Sequence, residues 1–145
     1  MTTKMSLADE LKAIGARHGI AALYAFGSRA AEMAGRVRRQ AVSAELPESD
    51  VDIGVQPAPG QRLTAEERVR LTVELEGLLA AKRVDLVVLP EADPFLAVDV
   101  IRGELLYCAD ADQQAEDELY VLRRAGDLVS YAHERWRLIL TGTAP

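Results

Sequence analysis

Hydrophobic positions along this chain switch between a helical spacing and short unbroken runs, and the switches mark out its elements. Ser6 with Asp9 three residues later has the spacing of a helix cap, and Leu7, Leu11 and Ile14 follow at helical intervals. Gly19, directly after His18, ends that helix. Ile20 to Phe26 is uninterrupted apolar sequence of strand length, the pattern of a central strand covered on both faces. Gly27-Ser28 then opens a turn into a helix expected to start near Arg29, whereas Ala31 to Pro47 is irregular and reads as a surface loop or short hairpin.

A second strand runs from Val51 to Val55, and Gln56-Pro57-Ala58-Pro59-Gly60 breaks it. Thr64 with Glu67 caps the next helix, whose Leu71, Leu75, Leu78 and Leu79 form a face able to cover a sheet. Val84 to Leu89 is a third strand, apolar except at Asp85 and terminated by Pro90. Pro94 starts a helix over Phe95 to Arg102 that ends at Gly103, and Glu104 to Cys108 is a short final strand. From Asp112 onward one long helix is expected, acidic in its first turns, with Arg135 and Arg137 near its end. The sum is an α/β (α+β) chain: a mixed sheet of about four strands flanked by helices, with a long C-terminal helix.

That last helix carries more apolar surface than one sheet needs. Leu119, Leu122, Val129, Trp136 and Leu140, with Gly126 and His133 in the same series, recur at seam spacing and are expected to pack on the domain. Tyr120, Leu128, Tyr131, Leu138 and Ile139 lie off that stripe, which points to a protein-binding surface over residues 111–145.

Composition narrows the class. A chain of 145 residues is a single domain with room for one core, and 49% hydrophobic residues at a net charge of −6 describe a globular protein. The acidic balance makes the chain a poor candidate for tight nonspecific nucleic-acid binding, which needs clustered Lys and Arg. Cys108 is the single cysteine, so no intramolecular disulfide or cysteine-based zinc site can form, and a cytoplasmic location is expected. Met1 to Ser6 lacks the apolar core of a secretory signal, and no apolar run approaches membrane-spanning length. His18 and His133 have no ligand-spaced companions and are expected at the surface or an interface.

The candidate chemistry lies at two places. Side chains on a strand alternate faces, so Asp50 and Asp52 point one way while Val51, Ile53 and Val55 point the other. Two carboxylates about 6.6 Å apart at the Cα level can converge on one divalent cation, and without a cation they repel and lose solvation. Asp85 either starts its strand paired with Lys82 or Arg83, or completes a three-carboxylate cluster if its strand lies beside Val51 to Val55. The second place is the turn after the first strand: Gly27 permits close backbone approach, Ser28 adds a hydroxyl, and Arg29 is a candidate phosphate clamp.

Taken together, F-G-S-R, then S-D-V-D, then V-D-L-V-V-L, with a closing G-E-L-L-Y strand before a long helix, resemble the minimal nucleotidyltransferases of the polymerase-beta-like superfamily, and more narrowly the MNT antitoxins paired with HEPN ribonuclease toxins. The resemblance implies that Gly27 and Ser28 bind the nucleotide phosphates of ATP, with Arg29 the candidate clamp beside them. It also implies that Asp50, Asp52 and Asp85 are catalytic and hold Mg²⁺, or Mn²⁺ in its place. By the same resemblance, an acceptor oxygen attacks the α-phosphorus of ATP in line, and the acceptor is a tyrosine hydroxyl of a cognate HEPN toxin, silenced by AMP transfer. The twenty-one residues from 29 to 49 are a longer spacer than the family typically has, and Ala31-Glu32 replaces its basic-glycine continuation. Alternatives are a binding-only antitoxin that blocks its toxin sterically and a small-molecule transferase of the aminoglycoside-modifying type; a polymerase fragment is disfavoured by the acidic charge.

Overall fold

The computed structural model describes residues 5–38 and 50–142. Among these residues, five α-helices and four strands follow one another as α1 Leu7–His18, β1 Ile20–Phe26, α2 Ala30–Val37, β2 Val51–Pro57, α3 Ala65–Leu78, β3 Val84–Val88, α4 Pro94–Ile101, β4 Glu104–Cys108 and α5 Ala111–Thr141. Short 3₁₀ turns, Gly27–Arg29 and Leu89–Glu91, follow β1 and β3. The strands form one mixed sheet of order β3-β2-β1-β4, in which β2 and β3 run parallel and the other neighbours antiparallel.

The helix boundaries follow from local chemistry. Ser6 accepts from the Asp9 N–H, and Gly19 closes α1 in the left-handed conformation at φ 63°. Thr64 and Glu67 form a reciprocal capping pair, each contact at 3.1 Å. Asp93 and Asp110 cap α4 and α5 by accepting from N–H groups of the first turn.

Two faces of the sheet are covered differently. Leu23, Ala25, Val51, Ile53, Val55, Val84 and Leu106 join the main core with α1, α2 and α3, through Leu11, Ile14, Met33, Leu71 and Leu75. The opposite face carries Ala22, Tyr24 and Gly54 under α4 and the first half of α5, through Ala97, Val100 and Val121. Gly54 is required there because a Cβ would collide with the Val100 side chain. The Tyr24 hydroxyl lies 3.5 Å from the Gln114 amide, and burial pushes its pKa well above the ordinary tyrosine value.

Four expectations are corrected. β2 continues through Gln56 and Pro57, because Ile20 and Ala22 at the start of β1 still pair with it, and Pro57 sits at the strand end where its missing N–H is tolerated. The irregular stretch begins with a helix: Met33, Ala34 and Gly35 of α2 are buried against the sheet, while residues 39–49, including Pro47, lie outside the described residues. His18 is an interior link, with its side chain 11% exposed and Nε2 2.6 Å from Glu74 on α3. The expected seam of α5 does not pack on the domain: Leu119, Leu122, Val129, Trp136 and Leu140 are exposed, and the buried residues are Val121 and Ala125. Those two lie four positions apart, about one helical turn, so one narrow stripe of the helix's N-terminal half meets the domain.

Two stability outcomes follow. Ala125→Asp, which places a charge at one of the two buried positions of α5, is expected to cost more than about 2 kcal/mol in urea unfolding. Removal of residues 127–145 is expected to change that stability by less than about 0.5 kcal/mol, because the side chains of residues 127–142 are almost all exposed.

Candidate active site

The register of the sheet sets the site. Asp52 on β2 is the direct partner of Asp85 on β3 and of Phe26 at the end of β1. Neighbouring strands lie about 4.8 Å apart, so the Asp52 and Asp85 carboxylates emerge side by side. They share the face that α4 covers further along, over Gly54, and the acidic end of that face stays partly open. Asp50 stands immediately before β2.

Gly27 lies directly against this pair. Its φ of 77° is in the left-handed region, and a Cβ at that position would collide with an Asp52 carboxylate oxygen. Ser28 is exposed at the opening turn of the following helical segment, where leading N–H groups have no partner within the helix. The Gly27-Ser28 turn and the acids thus meet at one edge of the sheet.

Electrostatics couple the acids. Burial raises the Asp52 pKa above its ordinary value, and the charges of Asp85 and then Asp50 raise it further. Arg83 answers part of this negative charge, with Nε 3.3 Å from Asp85 Oδ1 and 3.9 Å from Asp50 Oδ2. Asp85 thus makes the pairing with Arg83 that its place near the strand start offered, and in register it stands beside Asp52. Among the described residues, no three acidic, histidine or cysteine side chains already stand at the spacing of a metal-ligand set. The donor chemistry nevertheless fits Mg²⁺ or Mn²⁺, since carboxylates are hard oxygen ligands.

Arg29 does not sit as a phosphate clamp would. It is 6% exposed, and its Nε donates to Glu32 at 2.7 Å. Glu32 also pairs with Arg36, which donates to the Leu79 carbonyl at 2.5 Å, so this chain of contacts fastens α2 to the end of α3. Sequence reasoning passed over Arg83 as a residue of the site in its own right. Its position, two residues before Asp85 at the mouth of a parallel strand pair, was the available signal.

A family model, polymerase beta nucleotidyltransferase, matches residues 9–112. The chain belongs to the polymerase beta nucleotidyltransferase family. In this nucleotidyltransferase the matched span runs from α1 to the start of α5 and contains every candidate site residue. Its fold is similar to a chain of a toxin–antitoxin crystallised with AMP-PNP, at 23% identity and TM-score 0.61 over 94% of this chain and 98% of the other. A chain of a mutant MntA toxin–antitoxin crystal structure gives TM-score 0.61 at 21% identity, again over 94% and 98%. A chain from the complex of tri-AMPylated Shewanella oneidensis HEPN toxin with MNT antitoxin gives TM-score 0.57 at 22% identity, over 95% and 97%. No curated protein sequence matches the chain. Among the described residues, no helix is long and apolar enough to cross a membrane.

Asp52 carries a charge that the metal-free fold does not welcome. A raised folded-state pKa means that the native state binds protons more readily than the unfolded chain. Ionised Asp52 therefore destabilises the fold above its folded pKa, and the penalty disappears as pH falls below the unfolded value. Asp52→Asn should raise the melting temperature of the metal-free protein at pH 7 by about 1–3 °C, measured by calorimetry, with the difference shrinking toward pH 3.

Proposed function

We propose that this nucleotidyltransferase is an antitoxin that transfers AMP from ATP to a tyrosine hydroxyl of a cognate HEPN toxin and so neutralises it. The observation that carries the reading is Asp52, flanked by Asp85 in strand register and by Asp50, directly beneath the Gly27-Ser28 turn. Family membership supports the transfer chemistry, and the fold shared with proteins of toxin–antitoxin complexes supports the choice of partner.

Each residue has a role in this reading. Asp50, Asp52 and Asp85 hold Mg²⁺ or Mn²⁺, which when bound supplies charge stabilisation for the attacking and leaving oxygens. Gly27 lets the nucleotide approach the backbone, and Ser28 donates to its phosphate oxygens. Asp85, on the outer strand of the pair, serves in this reading as a further ligand or as the base that accepts the proton of the incoming tyrosine hydroxyl. Arg29 is positioning: through Glu32 it holds the helical segment on which the turn rests.

The exposed half of α5 favours a second, compatible component, a steric one. Leu128, Val129, Tyr131, Trp136, Ile139 and Leu140 are all exposed along this half of the helix. The toxin docks there in this reading, and complex formation is separable from catalysis.

The test uses purified protein, labelled ATP, Mg²⁺ and the candidate HEPN toxin. Label is expected on a toxin tyrosine, and Asp52→Asn should lower the transfer rate by at least about a hundredfold while the complex still forms in gel filtration. Full neutralisation of the toxin by the Asp52→Asn variant would instead select the steric mechanism.

A further inference from the structure

We infer that Arg83 is the resident counter-ion of the acidic edge, bridging Asp50 and Asp85 in the metal-free protein and giving way when a divalent cation takes the carboxylates. The inference rests on the reading of Asp50, Asp52 and Asp85 as a metal site. The guanidinium reaches acids from two different strand mouths, at 3.3 Å from Asp85 and 3.9 Å from Asp50. Among the described residues it makes no ion pair with Asp52.

Its backbone is fixed where its side chain is not. The Arg83 carbonyl accepts from the Val51 N–H at 3.0 Å, the contact that precedes the β2–β3 ladder, while the side chain is 68% exposed. An anchored Cα with a solvated stem allows the charge to swing without disturbing the strands. The two acids are themselves 40% and 43% exposed, so the bridge is a weak one in water.

Size and charge decide the exchange. A guanidinium approaches carboxylates at hydrogen-bond distances, whereas Mg²⁺ draws oxygens to about 2.0–2.1 Å. A singly charged guanidinium at 3.3 and 3.9 Å therefore neutralises these acids less completely than a divalent ion at coordination distance does. A doubly charged ion gains more from the same acids, and the displaced arginine returns to solvent at the rim of the site. Arg83 therefore sets how much free metal is needed for loading, and offsets the mutual repulsion of the acids.

Mn²⁺ titration of the full chain by calorimetry tests this. Arg83→Gln is expected to bind Mn²⁺ about three- to tenfold more tightly than the wild type, because the competing cation is gone. Its metal-free melting temperature should be lower, and its rise on adding Mn²⁺ larger. Arg83→Lys keeps the charge but loses the two-acid bridge, so it should fall between the two. Unchanged or weaker Mn²⁺ binding in Arg83→Gln, or wild-type affinity in Arg83→Lys, overturns the role of Arg83 while leaving the metal site standing. Wild-type protein that binds no Mn²⁺, or Asp52→Asn binding as tightly as wild type, overturns the metal-site reading beneath it.

Discussion

The parallel pairing of β2 with β3 is the constraint on which the candidate site depends. It sets Val51 against Val84 and Asp52 against Asp85, so one register choice buries the aliphatic residues on one face and brings the acids together on the other. A slip of one residue would turn Val51, Ile53 and Val55 out of the core. Hydrophobic burial therefore enforces an arrangement that is electrostatically unfavourable. Completely buried Ile53 and Val55 outweigh the repulsion among partly exposed carboxylates, because a buried aliphatic side chain contributes about 1.5–3 kcal/mol and surface charges interact by less than about 1 kcal/mol.

The helices divide their work by face. α1, α2 and α3 seal the aliphatic side, with Arg17 and His18 of α1 both reaching Glu74 of α3. α4 covers the other face over Gly54, and the Asp52 end stays partly open to solvent. Closure of that end by another helix would have stranded carboxylates in a medium where ionisation is costly. The open end and the acids are two aspects of the same balance.

α5 shows how a helix can serve two surfaces in sequence. Its first half is held by Val121, Ala125 and the Tyr24–Gln114 contact. Its second half continues past the domain with aromatic and aliphatic residues exposed on several sides. Helical hydrogen bonding along the whole length lets the distal half keep its shape without a core beneath it, although an apolar surface of that kind gains most from a partner.

Much of this was legible along the chain, because the signals were local. Ser6, Thr64 and Gly19 mark helix ends through their own backbone contacts, and Ile20 to Phe26 declares a central strand by lacking polar residues. The alternation around Asp52 shows that it shares a face with Asp50 and opposes Ile53. What no local pattern could decide was contact between distant residues. Only the folded chain turned Arg29 inward onto Glu32, drew His18 to Glu74, and chose Val121 and Ala125 over the longer stripe of α5. The placement of Arg83 between Asp50 and Asp85 belongs to the same class. Periodicity reports which residues of one element can point the same way, whereas partner choice depends on sheet order, register and the space left by neighbouring helices, all of which are properties of the whole fold.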